Sequence, residues 1–137
     1  MFANDLITYL TGAGFTVYPD PNFLPAEIPE NKLPCLFVFG TGGYAPHEYV
    51  PTERPTFQVI IKGKSYKTLP ANMAATEELG KQLIKHLHRR ANYQAGSAGV
   101  ISSTAAQPSP IPLGLDEGDR PMFSTNFMFY TKEDENP

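Results

Sequence analysis

The chain has 137 residues, is 41% apolar and 18% charged, and carries a formal net charge of −3. That length supports one two-layer core rather than two independent ones, and the composition is globular rather than disordered. The negative balance argues against a dedicated nucleic-acid binder. No apolar run reaches the roughly 18 residues of a membrane-spanning helix, and Met1-Phe2-Ala3-Asn4-Asp5 lacks the basic start and apolar stretch of a signal peptide.

Ala3, Leu6, Ile7 and Leu10 recur at helical spacing, which predicts an amphipathic helix over 2–11, ended by the glycines of "TGAGF". "FTVY" (15–18) reads as a short strand. Prolines at 19, 21, 25, 29 and 34 make the next stretch an extended connection without regular structure. "CLFVF" (35–39) is a strand apolar on both faces, as a central strand is. It holds Cys35, the only cysteine, which reads as a buried thiol in a reducing compartment. Residues 40–55 form a long loop, and the alternation of Phe57, Val59 and Ile61 predicts a strand over 56–62.

The main helix is expected over 71–90, with Asn72 as its N-cap and Met73, Thr76, Gly80, Leu83, Ile84 and Leu87 on one stripe. A strand over 98–104, a second long loop over 105–121 and a last strand over 122–130 follow. The last strand has Phe123, Thr125, Phe127 and Phe129 on one face. The polar tail 131–137 is expected to fray. The fold class is α+β: a single mostly antiparallel sheet, or a mixed one, with two helices packed on it, in the order α-β-β-β-α-β-β. Residues 1–137 read as one domain.

A search for chemistry returns little. "KGKSY" (62–66) suggests a phosphate loop, but a Walker loop needs a glycine five residues before Gly63, and Gln58 stands there inside a strand. The turn therefore reads as exposed and ordinary. His86 and His88 sit two apart on a helix and point apart; His47 is alone in a loop. Asp116, Glu117 and Asp119 lack a calcium-loop pattern and read as solvated loop charges. No catalytic triad, metal site or cofactor site emerges.

Two features suggest binding instead. Lys81, Lys85 and Arg89 repeat at i, i+4 and i+8, joined by His88 and Arg90. They form either a solvated face suited to the helix C-terminus or a docking face for an acidic partner or DNA. The loops 40–55 and 105–121 are longer than compact domains need. The first carries Tyr44, His47, Tyr49 and Arg54, the second Ile111, Leu113, Leu115 and Arg120. Tyr and Arg are favoured interface anchors. Arg120 is the ambiguous one, since Asp116 and Glu117 are within reach at home.

Taken together, "LPCLFVFGTGGYAPHEYVPTERPTFQVIIKGKSY" (33–66), the following helix and "LGLDEGDRPMFSTNFMF" (113–129) resemble a family of bacteriophage minor capsid proteins, the tail terminators of long, non-contractile-tailed phages. The resemblance covers most of residues 33–130. It implies an α/β subunit that assembles as a homo-oligomer, a hexameric ring on the head-proximal end of the tail. Its partners would be the tail tube protein and a head-completion or connector protein. DNA would pass through the ring without sequence-specific binding, and no membrane is involved. The implied location is the virion, after assembly in the host cytoplasm. Such a protein needs surfaces rather than an active site or cofactor. The alternatives are another head–tail adaptor and a nucleotide-binding enzyme using the 62–65 turn.

Overall fold

The structure, a computed structural model, describes residues 1–133. Helix α1 (Ala3–Gly12) begins where Asp5 reaches back to accept a bond from the Phe2 amide at 2.7 Å, satisfying a donor that the helix leaves free. After a short 3-10 turn (Glu30–Lys32) come β1 (Cys35–Gly40), β2 (Thr52–Glu53) and β3 (Thr56–Lys62). Helix α2 (Asn72–Leu87) separates these from β4 (Arg90–Ala95), β5 (Ala98–Ala105), β6 (Ile111–Leu115) and β7 (Pro121–Lys132).

The strands form one antiparallel sheet in the order β1-β3-β7-β5-β4. Strand β7 is its spine. One edge pairs with β3 along Met122–Met128 and with β2 at Thr131–Lys132. The other pairs with β6 along Pro121–Ser124 and with β5 along Phe127–Thr131. Helix α1 packs on both β1 and β4, the two ends of this order, so the sheet curves enough to bring both ends to one helix.

The period-2 alternation of the strands makes two cores of unequal size. Leu36, Val38, Val59, Ile61, Phe123, Phe127 and Phe129 face the helices and meet Leu6, Leu10, Leu83 and Leu87. On the opposite face, Cys35 and Phe37 meet Ile28 and Leu33 from the connection before β1, with Tyr18, Leu24, Phe39 and Ile60 around them. Burying each such Leu or Phe contributes roughly 1.5–3 kcal/mol.

The α+β reading and the single mostly antiparallel sheet hold; the details differ in instructive ways. Strand β1 is apolar on both faces because both faces are covered, yet it ends the strand order rather than lying at its centre. Residues 15–18 supply only one parallel bridge, Val17 to Leu36, with amide bonds that partly cover this edge. Strands β2 and β6 lie inside the two expected loops because β7 is long enough to pair beyond β3 and β5. Strand β4 occupies residues expected to end the helix or to follow it.

Helix α2 stops at Leu87. Arg89 takes a left-handed φ of 61°, and His88 turns aside to accept the Ala105 amide at 3.1 Å, so Arg89 and Arg90 leave the helix. Asn72 is not the cap: Ala71 is, and the Asn72 side-chain Nδ2 donates to the Ser65 carbonyl. Met73 is 44% exposed, outside the buried stripe. Thr131 and Lys132 belong to β7, and Thr131 is fully buried, so the last strand runs two residues into the expected tail; residues 134–137 lie outside the described residues.

Candidate assembly surfaces

The loop between β1 and β3 folds back on itself at Gly43, whose φ is 97° and where a Cβ would collide with the Arg54 carbonyl. The Tyr44 amide donates to that same carbonyl at 2.9 Å. Tyr44 and Arg54 are thereby set side by side, with the guanidinium 5.4 Å from the ring centroid. The Tyr44 hydroxyl reaches Met128 Sδ at 3.3 Å. With Ser102, Thr104 and Tyr130 these residues line a shallow depression of about 300 Å³ on the sheet face away from the helices. Tyr44 is 55% exposed and Tyr49 is 85% exposed. His47 serves the loop itself, its Nδ1 accepting the Tyr49 and Val50 amides.

The second expected loop also presents apolar side chains outward. Ile111, Leu113 and Leu115 alternate along β6, and all five residues of that strand are exposed. Pro112 removes one backbone donor there, as suits an edge strand.

The basic region has a different shape from the expected i, i+4, i+8 face. Lys81 and Lys85 are exposed on α2, while Arg89 is exposed at the turn beyond it and Arg90 opens β4. None of the four makes an ion pair among the described residues. No Asp or Glu stands between Glu78 and Asp116, so this run holds a formal +4 from its four cations and the rest of the chain −7, giving the net −3. His86 adds little to this charge at neutral pH. Burial lowers its pKa, Arg90 nearby lowers it further, and its Nε2 lies 2.9 Å from the Tyr9 hydroxyl.

In the turn 62–66 only Lys64 is exposed; Lys62 and Gly63 are buried, and Ser65 and Tyr66 are half-buried. Lys62 is buried and bonds Asp116 at 3.0 Å. The Gly63 amide donates to Pro121 O, and the Ser65 amide to Glu30 at 2.8 Å. A Cβ on Gly63 would overlap the Thr76 side chain. The Gly63 and Ser65 amides and the Lys62 ammonium are therefore engaged within the fold. Asp116 is not a solvated charge, since it also accepts the Gly118 and Arg120 amides; Asp119 pairs with Lys67 at 3.1 Å. Arg120 is held at home as well, by Glu30 at 2.9 Å and by Asp116 at 3.7 Å. Nothing in sequence spacing connects Glu30 to Arg120.

Among the described residues no group of His, Cys, Asp and Glu is arranged to hold a metal ion. Burial pushes the Cys35 thiol up to about 11, so it is a protonated core group rather than a nucleophile. The exposed features are thus Tyr44 and Tyr49, the apolar side chains of β6 and the cations Lys81, Lys85, Arg89 and Arg90.

A family model described as bacteriophage tail terminator protein matches residues 9–132. No curated protein matches the chain.

Proposed function

The chain belongs to the bacteriophage tail terminator family, and from that premise we propose that it caps the head-proximal end of a phage tail tube as a closed ring of six copies. Membership makes it a structural protein of the phage tail. In the proposed role one face of the ring halts addition of tube protein, and the other receives the head's connector. DNA passes through without base-specific contact. Each copy acts as one domain, without active site or cofactor, and is assembled in the host cytoplasm before it enters the virion.

The observation that carries this reading is the family match, which runs from within α1 to the end of β7. The surfaces agree with it. Tyr44, Tyr49, Ile111, Leu113 and Leu115 are large apolar side chains left exposed in the single subunit, where a neighbouring copy or partner would cover them. We assign Tyr44, His47, Tyr49 and Arg54 to one contact surface and Lys81, Lys85 and Arg89 to another, facing an acidic neighbour. Arg120, held by Glu30 and Asp116, contributes through the fold it fixes.

The test is electron microscopy of tails made with and without this protein, paired with mass measurement on purified tails. Uncapped tails should lose length control or fail to join heads, and capped tails should carry six copies. One copy per tail, or none, would overturn the ring.

A further inference from the structure

We infer that residues 23–33 form a hinged flap that lifts from the sheet while the rest of the molecule stays folded, with Glu30 as its latch. This rests on the fold alone and not on the ring. The segment's two ends are fixed. Before it, the Asn22 amide donates to Val38 O at 2.8 Å, and its side chain accepts the Gly40 amide at 2.7 Å. After it, Cys35 enters β1 opposite Lys62.

Between those points the attachment is sparse. Pro25 and Pro29 have no amide to give. The remaining backbone bonds of the segment are local, Lys32 to Pro29 and Leu33 to Glu30. Among the described residues, the only hydrogen bonds from 23–33 to the rest of the chain are those of Glu30, to the Ser65 amide at 2.8 Å and to Arg120 Nε at 2.9 Å. The apolar hold is Ile28 and Leu33, with half-buried Leu24.

The flap is also undercut on both flanks. A cleft of about 1030 Å³ runs between Glu27–Leu33 and residues 13–19, and another of about 830 Å³ between Leu24–Pro29 and the 116–122 turn. Segments with few buried contacts and few backbone bonds open at lower free energy than the whole fold. Opening uncovers Phe37, fully buried in the closed form, and with it an apolar face that the closed molecule hides.

Cys35 packs with Ile28 and Leu33 and is the only cysteine, so it reports the opening. In the closed form it is both covered and protonated. The experiment follows its labelling by a small maleimide in the full chain near neutral pH, across a denaturant series, normalised to an unstructured cysteine peptide. Wild-type labelling at low denaturant should show a shallow slope, then merge with the steep slope of global unfolding. Glu30→Gln should raise the low-denaturant rate about tenfold, the effect of losing a charge-assisted bond. Leu83→Ala, in the other core, should lower global stability yet leave the low-denaturant rate unchanged. The inference falls if wild-type labelling follows the global slope throughout, which needs no variant to test. It also falls if Leu83→Ala speeds labelling as much as Glu30→Gln does.

Discussion

Lys62 ends β3, and Lys85 lies in the last turns of α2. The first has 5% of its side chain exposed and meets Asp116 at 3.0 Å, in a cluster that continues through Arg120 to Glu30. The second is exposed and has no ion-pair partner among the described residues. The same residue type thus serves two purposes. At the corner, charge is consumed in fixing the fold; at the end of α2, it is exposed and without an ion pair among the described residues, and we propose that it meets an acidic neighbour. The corner therefore answers to measurements of stability, and the helix end to measurements of assembly.

The largest expected effect is at the corner. Asp116→Ala leaves Lys62 buried without its partner and removes the acceptor for the Gly118 and Arg120 amides. Breaking a buried pair from one side costs about 3 kcal/mol or more, which for a chain this size lowers Tm by about 10 °C. Lys62→Met should cost less, because Asp116 keeps Arg120. Thermal melts of the two variants decide, and an equal or inverted ranking would break the account of the corner.

A smaller loss should follow from acid. The Ser65 amide, then Arg120, lower the Glu30 pKa against burial. For Asp116 burial acts to raise the pKa, but the bonds from the Arg120 amide, Lys62 and the Gly118 amide outweigh it, so the net direction is down. Groups with depressed folded values stabilise above their unfolded pKa and lose that contribution as pH falls through the folded one. The corner's share should be complete at neutral pH, begin to decline near the unfolded carboxylate pKa of about 4, and be lost as pH falls through the lower folded values. Glu30→Gln should flatten that part of the stability–pH curve; an unchanged curve would mean the pair contributes nothing.

How much of this was legible in the sequence depended on range. The β3 boundaries follow from Phe57, Val59 and Ile61 alternating, and the α2 stripe from Thr76 to Leu87 follows from helical period. Strand β4, "RANYQA", has little alternation and a left-handed Asn92 at φ 55°, so no local signal marks it. Strand β6, "IPLGL", contains a proline and a glycine that speak against a strand; it exists because β7 offers it an edge. The exposed Tyr44 and Tyr49 were readable from loop length and residue type. The Glu30–Arg120 pair was not, since it joins residues far apart in the chain whose meeting depends on the whole sheet.

At the loop surface the expected effects move from stability to assembly. Tyr44→Ala removes a half-exposed ring touching Arg54 and Met128 and should cost the isolated fold about 1 kcal/mol or less. Arg54→Ala should behave alike. Each should nonetheless weaken capping when mixed with tubes that lack a terminator. Capping at wild-type length and efficiency by both variants would remove this loop from the contact surfaces.

The smallest effect on stability, and the sharpest use of the comparison, belongs to the basic region. Replacing Lys81, Lys85 and Arg89 together by glutamine removes three exposed charges that make no ion pair among the described residues. Exposed charges of this kind are worth little to a fold, so the melt should shift by no more than about 1 kcal/mol equivalent, in either direction. If the region faces an acidic neighbour, the loss appears in head–tail joining. That loss should be greatest at low salt and shrink as salt rises, because screening weakens the wild-type attraction that the variant already lacks. Arg89 sharpens the test further. It sits off the helix at a left-handed φ, so its cation points from a turn rather than from the Lys81–Lys85 face. Arg89→Gln alone should then reduce joining less than the Lys81/Lys85 double variant. Joining yields equal to wild type at every salt concentration would show these charges to be solvated, and the contrast with Lys62 would be one of burial alone.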